Sequence, residues 1–233
     1  NKMRNMNKII TLPNFLKAFM LLGLIITIWG CAIYNVRQVK VIPMNDWEFH
    51  TTKSNIEVAL NLNREFNKED ESYPLNRNGN KKSILPVHVM VINDGPAEVL
   101  VKKNSLILED NETQYKQIEF DDMYSKLSFS PLGRYFIWAF GISLPVAFIG
   151  VNPTFAVIPG ILVGFVEVYN AKQSNERIRE DIYSKSLRNS ILHQGDSVNG
   201  FIFFDVPMDK QSNNFRVKLR LLYNDESEIL FEF

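Results

Sequence analysis

The chain has 233 residues, 26 of them basic and 26 acidic, so its formal net charge is zero. Apolar residues make up 45% and charged ones 22%, proportions of a folded protein with room for one generous domain and further segments. Balanced charge gives no basic footprint for nucleic acid, and a single cysteine excludes an internal disulfide.

The charge is unevenly placed along the chain. Lys2, Arg4, Lys8 and Lys17 precede Cys31, and no acid occurs before Asp46. Basic residues, then AFMLLGLIITIW (18–29), then small residues make the three-part layout of a secretory signal over residues 1–30. An apolar stretch of about a dozen residues fits a signal and falls short of the roughly 20 that a spanning helix needs. The tetrapeptide Ile28-Trp29-Gly30-Cys31 resembles the lipobox of bacterial lipoproteins: an aliphatic residue, a small residue and then the cysteine. Trp29 departs from the usual small residue at its position. The resemblance implies cleavage before Cys31 and lipidation of its thiol, leaving 22 basic against 26 acidic residues. Ala32, where an Asp is absent, implies export to the outer membrane of a two-membrane bacterium, facing the periplasm. The apolar run continues through Tyr34, so an uncleaved inner-membrane anchor stands as the alternative.

Beyond Cys31 the dominant period is two. Ile56, Val58, Leu60 and Leu62 alternate with Glu57, Ala59 and Asn61, as in a half-buried strand. Leu85, Val87, Val89 and Val91 repeat the pattern up to the turn Asn93-Asp94-Gly95-Pro96. Val99, Val101 and the run 105–108 follow, then a turn at Asp110-Asn111-Glu112. The polar stretch from Asn63 to Ser83 reads as a long surface loop. Near the end, Phe215, Val217, Leu219, Leu221 and Tyr223 alternate, Asp225-Glu226-Ser227 turns the chain, and Ile229, Phe231 and Phe233 resume. Placing Tyr223 opposite Ile229 keeps in-facing residues together and sets Arg220 against Glu232.

The segment LPVHVMVINDGPAEV (85–99), the run Leu106-Ile107-Leu108-Glu109-Asp110 with Tyr115, and LHQGDSVNGFIFFDVP (192–207) carry a second resemblance. Together they look like the telokin-like, immunoglobulin-type domain of many bacterial lipoproteins of unknown function. Asp196 stands where that family more often has Glu. The resemblance implies a mainly β fold, an immunoglobulin-like antiparallel sandwich built from residues 31–131 and 192–233. Its motifs are structural: Gly195 suits a turn, and Gly200 the start of an apolar strand.

Between those halves, residues 135–166 form 32 consecutive residues without a charge. One straight helix of that length reaches roughly 48 Å, past the hydrocarbon core of about 30 Å. Pro145, Pro153 and Pro159 oppose such a rod, and Asn152-Pro153 marks a turn near the centre. The expectation is an apolar helical hairpin over 132–170, whose ends return to one side. Phe136, Trp138, Phe140, Phe148, Phe155, Ile158 and Phe165 are its candidate membrane or oligomer contacts. Burial of the hairpin in the core is the competing reading. Residues 171–191 read as an amphipathic helix, with Ile178, Ile182, Leu187 and Ile191 on one stripe and Asp181 able to attract Lys185.

Residues for catalysis are harder to find. His50, His88 and His193 show no metal-ligand spacing, and His88 is out of phase with Val87 and Val89, which predicts exposure. Asp121-Asp122 lacks calcium-loop spacing, and no phosphate-binding glycine loop follows a strand. No cofactor and no enzymatic activity are expected. The expected role is a lipid-anchored structural or protein-interaction module of the bacterial envelope, touching lipid through Cys31 and the apolar insert. It would act as a homo-oligomer or as an accessory of an envelope or secretion assembly. The alternative is an inner-membrane accessory of a transporter or sensor. A third class binds a small apolar ligand between the sandwich and the insert.

Overall fold

A computed structural model describes Tyr34, Val36 and residues 46–62, 83–148, 153–211 and 214–233, without the side chains of 140–148 and 153–159. The leader 1–30, Cys31 and the loop residues 63–82 lie outside the described residues. The fold is mainly β, with two antiparallel sheets and a helical segment inserted between strands.

The elements, in chain order, are β1 (Phe49–Lys53), β2 (Ile56–Leu62), β3 (Ile84–Asn93), β4 (Val99–Val101), β5 (Leu106–Glu109) and β6 (Gln114–Tyr115). Then come α1 (Phe120–Leu127), α2 (Pro131–Phe148), α3 (Pro153–Lys185), β7 (Ser190–Leu192), β8 (Asp196–Asp205), β9 (Arg216–Tyr223) and β10 (Glu228–Glu232). One sheet has the order β1-β2-β3-β8. The other runs β6-β5-β9-β4-β7, with β10 on the free side of β9. The chain divides into a helical unit, whose described part lies within 129–174, and a β body formed by 34–128 and 175–233.

Alternation of apolar and polar residues becomes burial in the body. Ile56, Val58 and Leu60 of β2, Val87, Val89 and Val91 of β3, and Val217, Leu219 and Leu221 of β9 are all fully buried in one core cluster. Side chains of a strand alternate between faces, so each strand gives one of its two rows to this core. Ser54 and Asn55, both at positive φ, close the β1–β2 hairpin in the two-residue geometry that matches strand twist. Asn93 holds the points where the chain changes sheets. Its buried amide donates to the carbonyls of Ala97 and Leu192 at 2.8 and 3.0 Å, and accepts from the Gly95 N–H at 3.1 Å. At the β5–β6 turn, the Asp110 carboxylate accepts from the Glu112 and Thr113 amides and from the Tyr115 hydroxyl at 2.6 Å.

Three expectations need correction. The β9–β10 register is slipped by two: Ile229 faces Leu221, not Tyr223, and Lys218, not Arg220, faces Glu232. The turn is tighter than the sequence suggests, because Glu226 adopts positive φ and Tyr223 already bonds Ser227. Arg220 meets Glu228 instead, at 3.3 Å. The amphipathic helix stops at Lys185 rather than Ile191 and is continuous with the second arm of the insert. Past Ser186 the chain is extended: Leu187 donates its N–H to the Phe201 carbonyl, and Ile191 points outward from β7 at 57% exposure. This crossing is close enough that a Cβ on Gly200 would lie 2.6 Å from the Leu187 Cα.

His88 is buried, not exposed. It does lie on the outer face of its sheet, but its ring is stacked on Phe201 of β8 at 4.2 Å and capped by Trp47 at 4.6 Å. Burial lowers its pKa to about 4, so the ring is neutral in the folded protein.

Candidate functional site

In the helical unit, α2 and α3 run antiparallel. A side chain at Gly164 would strike the Tyr135 ring at 2.8 Å, so the glycine lets the helices approach there. Arg134 and Glu167, which bracket the uncharged run, meet at 3.3 Å, and the Glu167 side chain is only 3% exposed. The Arg134 guanidinium also covers the Phe129 ring at 4.5 Å. Between Lys126 and Lys172 these are the only two charged residues in the sequence, and each answers the other.

Apolar side chains dominate the outside of this unit. Leu132, Phe136, Ile137, Leu162, Phe165, Val166 and Tyr169 are exposed by half or more. They make up seven of the twelve exposed large apolar residues among the described residues, concentrated in a small part of the chain. Scattered single residues of this kind are ordinary on a folded protein, whereas a clustered patch marks a contact surface. Of the sequence-derived contacts, Phe136 and Phe165 belong to this exposed set and Trp138 is half-buried. The side chains of Phe140, Phe148, Phe155 and Ile158, like Cys31, lie outside the described residues. Sequence reading missed Leu132, Ile137, Leu162, Val166 and Tyr169. A signal was there, because Leu162, Phe165, Val166 and Tyr169 stand at i, i+3, i+4 and i+7, the spacing of a single helix face. No described helix is long and apolar enough to cross a membrane.

The β body carries a second feature, a cavity of about 890 Å³ on the edge of β8. Chain segments approach this edge from two directions. Ile118 donates its N–H to the Phe203 carbonyl at 2.7 Å, and Leu187 bonds Phe201, leaving a notch between them. Its walls are Phe120 and Met123 of α1, Ile182 and Tyr183 of α3, and Phe201 and Phe203 of β8. Several lining polar groups are already engaged: Gln117 donates to the Leu106 carbonyl, Ser186 to that of Ile182, and Lys103 pairs with Glu119 at 2.9 Å, while Glu176, Arg179 and Glu180 put charge at one side. The notch therefore offers mainly apolar and aromatic faces. It comes from three distant segments, so no local pattern reveals it.

Also in the body, the Tyr34 hydroxyl donates to Asp181 Oδ2 at 2.5 Å. Lys185 stands 2.6 Å from Oδ1 as an ion pair, off the line of an aligned hydrogen bond. Tyr34 is 1% exposed, only three residues beyond Cys31. His50 pairs with Glu57, and His193 with Glu98 and Asp196, on separate parts of the surface. Asp121 and Asp122 lie in the first turn of α1, where the helix dipole favours acids. Among the described residues no group of three His, Cys, Asp or Glu side chains is placed to hold a metal ion. No known family model, curated protein or solved structure matches this chain.

Proposed function

We propose that this chain is a lipid-anchored interaction module of the bacterial envelope. Its β body is an immunoglobulin-like sandwich of the telokin-like kind, and its apolar hairpin is the contact face. The observation that carries this reading is the exposed apolar surface of α2 and α3, joined to a body of ordinary polar surface. The short link to Cys31 supports it. Three residues span at most about 11 Å, so a lipid on Cys31 holds the body close to the bilayer, without the long tether of a free-swinging domain. Several acyl chains on one cysteine anchor stably where a single chain does not.

Metabolic labelling with palmitate in a bacterial host tests the anchor. Label should enter the wild-type chain in the envelope fraction and be lost in Cys31→Ser. Equal labelling of both, or none in either, removes the lipid anchor and leaves the uncleaved inner-membrane protein.

The notch on β8 favours a second reading, an envelope sensor accessory that takes a small apolar ligand there. An apolar fluorophore that brightens on binding the wild type, and not Phe203→Asp, would support it. Equal signals from both would remove it.

A further inference from the structure

We infer that the α2–α3 hairpin is inserted into a lipid bilayer from one side, with the water boundary between Tyr169 and Lys172. The inference rests on the membrane reading above and specifies the partner of that surface. Its basis is a change of character along one helix face. From Leu162 through Phe165 and Val166 to Tyr169, the exposed side of α3 is apolar. Within the next turn the exposed residues become Lys172 and Gln173, followed by Glu176 and Arg177. The helix continues without interruption, so the change reflects its surroundings rather than its fold. Tyrosine is the residue suited to the boundary, with an apolar ring and a polar tip.

Charge placement on the apolar side of this boundary points the same way. Arg134 and Glu167 are paired, and Glu167 is turned inward, away from the surface that carries Phe165 and Val166. A bilayer demands this of a charged residue, because an ion facing lipid is costly and a paired ion within a helix bundle is much less so. A protein partner imposes no such rule; protein interfaces carry a polar rim and arginines that face across. Exposed apolar groups also occur on both helices, Leu132, Phe136 and Ile137 on α2 as well as the α3 row. Lipid surrounds a hairpin in this way, whereas a second copy covers one side of it.

Helix length sets the depth. Up to that boundary, 153–169 of α3 reaches about 26 Å at 1.5 Å per residue, and the uncharged arm of α2, 135–148, about 21 Å. Both pass the midplane of a core about 30 Å thick and fall short of crossing it. The hairpin therefore enters and leaves on the same side, as the strands before and after it require.

A tryptophan depth ladder tests this in the full chain. Trp29→Phe, Trp47→Phe and Trp138→Phe give a background into which Leu162→Trp, Tyr169→Trp or Gln173→Trp is introduced singly. Each protein is reconstituted in phosphatidylethanolamine–phosphatidylglycerol vesicles brominated either high on the acyl chain or near its end. The Leu162→Trp probe should have blue-shifted emission and lose most of it to the deep bromines. Tyr169→Trp should respond chiefly to the shallow ones, and Gln173→Trp should stay red-shifted and unquenched by both. Blue-shifted emission at 162 and 169 that bromines leave untouched, with crosslinks between copies, would make the surface a self-association face. Red-shifted, unquenched emission at both would leave it in water. Either result overturns the inference, while palmitate labelling of Cys31 tests the anchor independently.

Discussion

Single residues decide where the chain changes direction. Asn93 satisfies three backbone groups from two turns at once, so Asn93→Ala should cost on the order of 2–3 kcal/mol in urea unfolding. A loss within error of zero would mean that water replaces the amide. Two glycines make a sharper comparison. Gly195 has φ +83° with open space around it, so Gly195→Ala should cost only about 1 kcal/mol of backbone strain. Gly200 has ordinary φ but no room beneath the Leu187 backbone, so Gly200→Ala should cost about 3 kcal/mol. The reverse ranking would show that the crossing at Leu187 is loose. His88 gives a pH dependence. Its pKa falls from 6.5 unfolded to about 4 folded, so the unfolded chain takes the proton first. Stability is full above pH 6.5 and is lost as pH falls toward 4, by about 3 kcal/mol at most. Its neighbours Trp47, Phe201 and the cross-strand Asn61 carry no charge to offset this. His88→Phe should flatten the slope between pH 7 and 5; an unchanged slope would assign it to other groups. Burial of His88 is not legible in the sequence. Period two tells which face a residue takes, and nothing in it says that Trp47 covers the outer face.

At the scale of elements, apolar alternation shows the strands wherever one row is buried. It fails for β1, an edge strand whose Thr51, Thr52 and Lys53 need no apolar row, and for β6, which has two residues. Register is fixed by the pattern only to within two residues, and the turn supplies the rest. Glu226 at positive φ leaves no sequence signal of the kind a glycine gives. The observed pairing can be measured. Phe231, 2% exposed, should cost about 3–5 kcal/mol as Phe231→Ala. The coupling of Arg220 with Glu228, both half-exposed, should stay below about 1 kcal/mol in a double-mutant cycle, and Arg220 with Glu232 should show none. Coupling to Glu232 instead would restore the register read from sequence.

For the whole molecule, absence of charge made the insert stand out, while its closing pair did not. Arg134 and Glu167 read in sequence only as the limits of an apolar run, because partners that distant leave no periodic trace. The two units predict separable behaviour. A chain that begins after Cys31 and has 129–174 replaced by a flexible glycine–serine linker should fold as a β-rich body that unfolds cooperatively and remains monomeric without detergent. Loss of its cooperative transition would show that the body depends on the hairpin for its core.

The position of β8 has a consequence for biosynthesis. β3 pairs along its whole length with β8, yet α2 and α3 are translated between them. Distant pairings form late, and a growing chain presents its segments in order. When the hairpin leaves the ribosome or the export channel, β3 still lacks its second neighbour, and its open edge and the hairpin's apolar side chains are exposed together. The hairpin must meet lipid or a holding chaperone first, and the sheet closes only afterwards. Chains released at Lys185 should accordingly be recovered on chaperones or in aggregates, with β3 still open to any strand that reaches it.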